Sequence, residues 1–270
     1  MRTFTRLMFV ILFIISTNNS FAQADSHDSI FEFGMGGILG FAEGNTVQFY
    51  ERGREELFVP SSIPNLLLPN GHRYVFGVET AVGVVINDEI TFYQRDRNNN
   101  TWSVNPILSF SLPIGYSHIF GHGNLGMGIV FNNEIRFYRW DWESDLSHLS
   151  LPSGIRHRLW ADWETGSWEA VPYLDFSLPY GYNGIIGLRY GLLGVIVNGI
   201  VQFYEFDYGN YSWNIISDFD LPLPDRHGHI FGFIDFFAGL TIGVVDDDGI
   251  QFFQRNWEME SWLMISRWRL

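Results

Sequence analysis

VGVVINDEITFY, residues 82–93, contains the pattern that decides the fold. Its central pair, Asn87 and Asp88, consists of residue types that tolerate a positive φ and therefore favour a two-residue hairpin turn. With that pair as the turn, Gly83 faces Phe92 across the two strands. We expect the Phe92 ring to cover the bare backbone of Gly83 and to help fix the register. The stretch therefore predicts a β-hairpin.

The same hairpin pattern occurs in four further copies, at 39–50, 127–138, 193–204 and 242–253. In each copy a glycine precedes a phenylalanine by nine positions, and Gly, Asn or Asp fills both central places. A short Phe/Ile-Gly strand comes before each hairpin, and a strand that often opens with tryptophan and runs into Leu-Pro follows it. The phenylalanines lie 43, 45, 66 and 49 residues apart, so the usual unit is four short strands in about 44 residues.

Four strands in a repeat of this length are typical of a β-propeller blade. We therefore predict an all-β, five-bladed β-propeller that forms a single domain over 25–270. Its repeats begin near residues 30, 73, 117, 183 and 228. Asp-Trp-Glu occurs at 141–143 and again at 162–164. We interpret that duplication as an insertion within 142–165 that decorates one blade.

The two ends of the chain favour a closed ring. IFEFG at 30–34 is an isolated first strand, and SWLMISRWRL at 261–270 is a last strand without its Leu-Pro. The N-terminal strand can therefore lie beside the C-terminal blade, which removes exposed sheet edges. The alternatives are a repeat solenoid, which needs atypical capping repeats, and an outer-membrane barrel, which needs longer alternating strands.

The first 24 residues have the features of a secretory signal peptide. Arg2 and Arg6 flank the start of an apolar stretch at 7–15, and Ala22-Gln23-Ala24 offers a cleavage site. The apolar stretch is nine residues long, whereas spanning a bilayer takes roughly 20. We therefore expect an exported protein, periplasmic or extracellular, with no membrane span in the mature chain. An exported chain without cysteine is more typical of bacteria than of eukaryotes.

Composition limits the partners and cofactors. The chain has 30 acidic and 16 basic residues, a net charge of -14, which argues against nucleic acid as a partner. The absence of cysteine excludes disulfides, thiolate zinc sites and a cysteine nucleophile. We predict no cofactor and no metal site, because His227 and His229 lack a third ligand at a recognisable spacing. The segment at 96–100 likewise lacks the glycine and the distal glutamate of a calcium loop.

The loops that follow Leu-Pro and link one blade to the next are the candidate ligand site. They contain PNGHR (69–73), PIGYSH (113–118), PYGYN (179–183) and PDRHGH (224–229). Aromatic rings beside amide, imidazole and guanidinium donors suit sugar recognition, and such loops commonly carry function. The predicted ligand-binding residues are His72, Arg73, Tyr116, His118, Tyr180, Tyr182, Asn183, Arg226, His227 and His229. The alternative is that the tyrosines pack between blades and the other residues follow from repeat descent.

The tryptophans fall into two groups. Four of them recur at one register and are predicted to pack between blades: Trp102, Trp168, Trp213 and Trp262. Four others belong to the unrepeated insertion region, where no packing rule of the repeat requires them: Trp140, Trp142, Trp160 and Trp163. Because acidic residues flank this second group, we predict that it forms an interaction surface.

In layout the chain resembles the tachylectin family of five-bladed propeller lectins. The likeness lies in five tandem repeats, each with a short first strand, a Gly-containing hairpin and a tryptophan-led last strand. It spans the mature chain and implies a multivalent carbohydrate-binding protein, but no sugar-binding residue is carried over from the family. We expect a secreted, non-enzymatic binding module for glycans or a cell-surface protein, with repeated sites that act through avidity.

Two other functions stay open. One is a protein-interaction or envelope-structural propeller that uses the tryptophans of the insertion. The other is a propeller glycosidase, which needs two or three carboxylates converging on the axial channel. The first strands, which would line that channel, offer Glu32, Glu79 and Asp235.

Overall fold

The computed structural model describes residues 29–33, 37–53, 58–78, 81–96, 98–122, 126–141, 167–189, 191–235 and 239–268. Their strands form five separate antiparallel sheets, each with four strands in chain order, and in three of the sheets a short fifth strand also pairs with the third strand. The sheets are the blades of a five-bladed β-propeller, which confirms the predicted fold. The predicted signal peptide at 1–24 and insertion at 142–165 lie outside the described residues. Within the described part of the chain, no helix is long and apolar enough to cross a membrane.

The strands follow one another in chain order within each blade. Blade 1 contains β1 (Ser29–Phe33), β2 (Ile38–Glu43), β3 (Thr46–Arg52), β4 (Phe58–Pro60) and the short β5 (Leu66–Leu67). Blade 2 contains β6 (Val75–Val78), β7 (Ala81–Ile86), β8 (Glu89–Asp96) and β9 (Thr101–Ser111). Blade 3 contains β10 (Tyr116–His122), β11 (Gly126–Phe131), β12 (Glu134–Asp141), β13 (Ser167–Ala170) and the short β14 (Phe176–Ser177).

Blades 4 and 5 complete the ring. Blade 4 contains β15 (Tyr182–Gly187), β16 (Leu192–Val197), β17 (Ile200–Asp207), β18 (Ser212–Ile215) and the short β19 (Leu221–Pro222). Blade 5 contains β20 (Ile230–Asp235), β21 (Gly239–Asp246), β22 (Gly249–Asn256) and β23 (Ser261–Trp268). Single turns of 3₁₀ helix at Pro172–Leu174 and Ser217–Phe219 separate the last two strands of blades 3 and 4.

The hairpins have the predicted register. Gly83 pairs with Phe92, and the corresponding glycine and phenylalanine pair in every blade. Asn87 and Asp88 both have a positive φ, 50° and 62°, as the favoured two-residue hairpin turn requires. In blade 5 the positive φ falls instead on Gly249, the residue that follows the turn. The turn chemistry of the sequence therefore fixes how the two central strands of each blade align.

The ring that covers each glycine comes from the other neighbouring strand. A Cβ atom added at Gly83 would strike the ring of Phe76 in the first strand of the blade. The prediction that Phe92 covers Gly83 is therefore wrong, although the register behind it is confirmed. In blade 4 the side chain of Ile186 lies beside Gly194 instead of a ring. A central strand has two neighbours, and the hairpin pattern identifies only one of them.

The third-strand phenylalanine instead stacks on an aromatic residue of the next blade. Trp213 of blade 4 lies over Phe137 of blade 3, with ring centroids 5.7 Å apart. Its indole N–H donates a hydrogen bond to the Leu174 carbonyl oxygen at 2.7 Å. The same two contacts are made by Trp102, Trp168 and Trp262. The predicted packing role of the four recurring tryptophans is confirmed.

The ring closes between blades 5 and 1 through side-chain packing, without a shared strand. Phe58 takes the place of the tryptophan and stacks on Phe252 with centroids 5.1 Å apart. His229 donates from Nε2 to the Ile30 carbonyl oxygen at 3.1 Å. Trp268 of the last strand adds edge-on contacts with aromatic residues of blade 1. The predicted meeting of the two chain ends is confirmed.

Glycines in the first strands allow these strands to approach one another around the axis. A Cβ atom at Gly77 would strike the carbonyl oxygen of Glu32, and one at Gly187 would strike that of Gly121. The Phe/Ile-Gly motif thus reflects close backbone packing. Blade 1 departs from it, because its register places Glu32 opposite Leu39, where the other blades have the glycine.

We predict that Gly187→Ala destabilises the protein by about 3 kcal/mol or more. The added methyl group would occupy the place of the Gly121 carbonyl oxygen, which belongs to the backbone and cannot turn aside. Gly228→Ala is the matched control, because its Cβ would meet only the Val245 carbonyl oxygen at an ordinary 3.7 Å. Urea denaturation followed by tryptophan fluorescence measures both. Equal stability of the two variants would contradict the close approach of the first strands.

We predict that Trp213→Phe lowers the free energy of unfolding by about 1–3 kcal/mol, because it leaves the Leu174 carbonyl oxygen without its donor. The control is Trp257→Phe, at a tryptophan that is 59% exposed, and we expect a change within about 0.5 kcal/mol. Thermal denaturation followed by circular dichroism checks the difference. If the two variants have the same melting temperature, the indole hydrogen bond contributes nothing to the stability of the blade interface.

Candidate functional site

The loops after Leu-Pro and the two-residue hairpin turns meet at one end of the blades, which we call the hairpin face. In blade 1 the Asn45 side chain, in the hairpin turn, donates to Asn70 of the following loop at 3.1 Å. In blade 2 the turn residue Asp88 accepts a hydrogen bond from the loop residue Arg73 at 3.2 Å. The predicted ligand loops and the turns therefore share one surface.

Arg73, Tyr74, Asp88 and Tyr116 form a cluster at the junction of blades 2 and 3, the Arg73 cluster. Asp88 Oδ1 accepts hydrogen bonds from Arg73 Nη1 at 3.2 Å and from the Tyr116 hydroxyl at 3.1 Å. Tyr74 lies edge-on to Tyr116, and its own hydroxyl donates to the Ser117 carbonyl oxygen at 3.1 Å. Two successive loops and one hairpin turn thus converge on a single carboxylate.

A cavity of about 380 Å³ opens beside the Arg73 cluster. Residues 112–115 form its apolar wall, which includes the 96% exposed side chain of Ile114. The side chains of Arg73 and Asp88 are 58% and 63% exposed, so their polar groups are accessible to a ligand. The cavity volume falls within the range of about 300–1,000 Å³ that is usual for small-molecule sites.

Arg73 and Tyr116 both keep their protons at neutral pH. The hydrogen bond with Tyr116 raises the pKa of the Arg73 guanidinium, and the charge of Asp88 adds to this effect. Burial raises the pKa of the Tyr116 hydroxyl above its usual value near 10. At pH 7 the site therefore presents a cation and a neutral phenol beside the side chain of Asp88.

The histidines of two loops close their own turns. Nδ1 of His72 hydrogen-bonds to the Pro69 carbonyl oxygen at 3.0 Å, and Nδ1 of His227 to that of Pro224 at 2.8 Å. In the other two loops a backbone N–H makes the corresponding bond. His72 is only 4% exposed, so the prediction that it binds ligand is wrong: its side chain is part of the loop's internal structure.

His118 and His229 line the axial channel, a cavity of about 120 Å³ between the first strands. Burial lowers the pKa of His118 to about 4 and also lowers that of His229. Both rings are therefore neutral at pH 7. His118 lies edge-on to Tyr74 with centroids 6.1 Å apart, while His229 is hydrogen-bonded to blade 1. Both rings thus lie at interfaces between blades, and His118 borders the Arg73 cluster through its contact with Tyr74.

The remaining predicted loop residues lie at the next two junctions. Tyr180 and Asn183 are exposed between blades 3 and 4, where Tyr182 hydrogen-bonds to Ser117. Arg226 is 88% exposed between blades 4 and 5, with Nη1 3.9 Å from an Asp247 oxygen. Of the ten predicted ligand residues, the structure brings only Arg73 and Tyr116 into the described cavity.

The junctions between blades are not equivalent. The places of Arg73, Asp88 and Tyr116 are taken by Ser117, Asn133 and Tyr182 at the next junction, and by Asn183, Gly199 and His227 at the one after it. Of these three junctions, only the first combines a cation, a carboxylate and a phenol. If the predicted repeated sites bind ligand, they must therefore differ in chemistry from one of these junctions to the next.

Sequence reasoning missed Asp88 and Tyr74. The sequence pattern placed Asp88 in the hairpin turn alone. In the structure its backbone does form the turn, and its carboxylate also faces the neighbouring loops. Hairpin turns and post-proline loops lie at the same end of every blade. That rule would have paired Asp88, the acidic residue in the turn of blade 2, with Arg73 in the loop of the same blade.

Trp140 is a core residue. It is 2% exposed and lies edge-on to Trp168 with ring centroids 5.6 Å apart, in the apolar layer between blades 2 and 3. The prediction that Trp140 belongs to an interaction surface is wrong, because packing within the blade interface encloses the ring. Trp142, Trp160 and Trp163, predicted with it, lie outside the described residues.

The first-strand carboxylate that the structure describes is ion-paired. Glu32 Oε1 lies 3.1 Å from Arg189 Nε, and both side chains are largely buried. This pair joins blade 1 to blade 4 across the axis, so Glu32 has a structural partner there. Glu79 and the side chain of Asp235, the other two glycosidase candidates, lie outside the description.

The turn at 96–100 is capped by its own aspartate. Asp96 Oδ1 accepts the backbone N–H groups of Asn98 and Asn99 at 2.8 and 3.4 Å, and Asp207 caps the matching turn of blade 4 in the same way. In the part of the chain that the structure describes, no three His, Asp or Glu residues are grouped so as to hold a metal ion.

No family model and no curated protein matches the chain. Among solved structures, similarity extends to a putative 6-phosphogluconolactonase from Bacteroides fragilis, 12% identical with a TM-score of 0.42, over 85% of this chain and 66% of that one. A functionally unknown protein from Desulfotomaculum acetoxidans is 12% identical with a TM-score of 0.43, over 85% of this chain and 66% of that one. Hsv2 of Kluyveromyces lactis is 10% identical with a TM-score of 0.42, over 90% of this chain and 87% of that one. The chain thus spans just under two thirds of the first two structures, and similarity at this level carries no argument about activity.

We predict that the protein loses stability as the pH falls from 6.5 to about 4. Burial lowers the pKa of His118 and His122 to about 4. Between these values the unfolded chain therefore binds protons that the folded chain does not. Above pH 6.5 both states are neutral and the effect disappears. The loss is on the order of 2–3 kcal/mol for each histidine at pH 4.

Urea denaturation at pH 7.5 and pH 4.5 tests this dependence, with His122→Gln as the comparison. Carboxylate titration is common to both proteins, so the difference between them isolates the contribution of the histidine. We expect the variant to lose less stability than the parent between the two pH values. Identical losses would show that His122 is not buried in the neutral form.

Proposed function

We propose that the protein is an exported, non-enzymatic binding module that recognises a glycan through the Arg73 cluster. The observation that carries this proposal is the convergence of Arg73, Asp88 and Tyr116 on one open cavity of about 380 Å³. The resemblance in layout to tachylectin-like lectins supports the same class of ligand. Export by the predicted signal peptide at 1–24 would bring the site to glycans of the cell surface or the surroundings.

The Arg73 cluster matches the chemistry of a sugar ring. A pyranose has apolar C–H faces and a rim of hydroxyl groups, and the Tyr116 ring with residues 112–115 offers an apolar surface to such a face. Arg73 supplies donors, and Asp88 supplies an acceptor, since both of its described hydrogen bonds end on Oδ1. The side chains already hold one another in place, which lowers the entropic cost of binding.

The charges of the site favour a neutral sugar. Arg73 and Asp88 compensate each other at 3.2 Å, so the cavity has no uncompensated cation for a carboxylate or sulfate group. The net charge of -14 adds a general repulsion of acidic glycans. Hydrolysis of a glycosidic bond normally takes a pair of carboxyl groups, whereas the cluster holds one, with two hydrogen bonds on the same oxygen. We therefore propose binding rather than turnover.

A glycan array followed by calorimetry with the free oligosaccharide tests the proposal. We expect binding to a neutral glycan that the free sugar competes away, and a loss of roughly tenfold or more in Tyr116→Ala. Asp88→Asn removes the charge but keeps a residue that suits the turn, as at Asn133, and should weaken binding without unfolding the hairpin.

The matched control for Arg73→Ala is Arg226→Ala, because Arg226 is an exposed arginine in the corresponding loop of another junction. We expect Arg73→Ala to weaken binding and Arg226→Ala to leave it unchanged. An array without signal, or a signal that survives Tyr116→Ala, would refute glycan recognition by this cluster.

A further inference from the structure

A second group of exposed rings lies at the end of blade 4 opposite the hairpin face. Tyr208 and Tyr211 belong to the turn that joins β17 to β18, and Tyr173 comes from the 3₁₀ turn Pro172–Leu174 of blade 3. These three side chains, the Tyr211 cluster, are 63%, 64% and 46% exposed, respectively. No sequence pattern singled them out, because the other blades do not repeat them.

Two of the three rings in the Tyr211 cluster pack on one buried ring. Tyr208 lies edge-on to Phe206 with centroids 5.0 Å apart, and Tyr173 lies 6.2 Å from the same ring. Tyr173 and Tyr211 meet at 81° with centroids 5.6 Å apart. Phe206 is 2% exposed and packs on Trp213. The cluster is thus anchored to the core at one side and open to solvent at the other.

Tyr211 has a backbone conformation that disfavours it. Its φ is +52°, and the matching turn residues of blades 2 and 5, Asn100 and Glu260, have φ values of +53° and +49°. Asparagine adopts this left-handed region readily, whereas a bulky aromatic residue there is a strained outlier. Because the ring is 64% exposed, the small part of it that is buried stabilises the fold too little to offset the backbone strain. Strain of this kind is concentrated at functional sites.

The hydroxyl groups of the cluster are the polar part of this surface. Among the residues that the structure describes, none hydrogen-bonds to the hydroxyl groups of Tyr173, Tyr208 or Tyr211. On the adjoining strands, the cross-strand pair Glu205 and Asn214 is exposed as well. Apolar ring faces with free hydroxyl groups beside them suit a ligand that is itself apolar on its faces and hydroxylated at its rim.

We propose that the Tyr211 cluster is a second saccharide-binding site, which takes a single strand of a neutral, soluble polysaccharide. Rings at 81° to each other cannot lie together on a flat crystalline surface, but they can contact two sides of one sugar unit. The three rings alone offer far less surface than the roughly 800 Å² that a stable protein interface buries on each partner. This site lies at the opposite end of the blades from the Arg73 cluster and does not depend on it.

Native affinity electrophoresis tests the proposal with the full chain in gels that contain dextran, galactomannan or xyloglucan. We expect retardation in at least one gel, and its loss in Tyr211→Asn. The same variant should melt at an equal or higher temperature than the parent, since asparagine fits the left-handed turn. Glu260→Asn changes the same turn position in blade 5 and should leave the retardation unchanged.

Tyr116→Ala separates this site from the proposed hairpin-face site. Retardation that persists in Tyr116→Ala and disappears in Tyr211→Asn supports the Tyr211 cluster, whatever the fate of the other proposal. Absence of retardation in all three gels overturns it, as does retardation that Tyr211→Asn leaves intact. A lower melting temperature of Tyr211→Asn would assign the ring a folding role and overturn it too. A sedimentation coefficient higher than that of Tyr211→Asn, without retardation in any gel, would indicate self-association through this surface and would also overturn the proposal.

Discussion

The stack between a phenylalanine of one blade and an aromatic residue of the next is the contact on which the ring depends. The hairpin register places this phenylalanine at the same height in every blade, opposite a glycine. The glycine leaves room for a side chain of the first strand. The phenylalanine ring can therefore stack on the aromatic residue of the next blade. Each such pair contributes about 0.5–1.5 kcal/mol beyond its buried area. The chain has no cysteine, so repetition of this contact replaces covalent cross-links.

Close packing at the axis explains why the larger cavity lies elsewhere. Backbone carbonyl groups of the first strands fill the space that side chains at Gly77, Gly121 and Gly187 would need. The remaining channel has a volume of about 120 Å³, and the ion pair of Glu32 and Arg189 crosses it. The cavity of about 380 Å³ lies between loops on the hairpin face, where side chains can vary without disturbing the ring.

The sequence was sufficient to predict the blade, its hairpin register and the packing tryptophans, because these follow from turn chemistry and fixed spacing. It could not show which of two neighbouring strands supplies the ring over Gly83, since periodicity does not distinguish the two sides of a central strand. It also misassigned Trp140, whose burial depends on the neighbouring blade. His72 was predicted to bind ligand because histidine often does, but its ring hydrogen-bonds to the Pro69 carbonyl oxygen within its own loop.

The candidate site was predicted in part. Arg73 and Tyr116 were identified because they lie in successive loops of one face, and the structure joins them. Asp88, which accepts hydrogen bonds from both, was not identified, because its place in a hairpin turn already explained it. The backbone of Asp88 forms the turn, while its carboxylate accepts hydrogen bonds from the neighbouring loops.

The central claim is that the ligand of this propeller binds at the junction of blades 2 and 3. The most direct measurement is an amide chemical-shift map of the intact protein, titrated with the oligosaccharide selected on the array. The account predicts saturable shifts centred on Arg73, Asp88 and residues 113–116, with the channel residue His229 unaffected. Shifts centred on the axial channel, or spread evenly over all the post-proline loops, would contradict it.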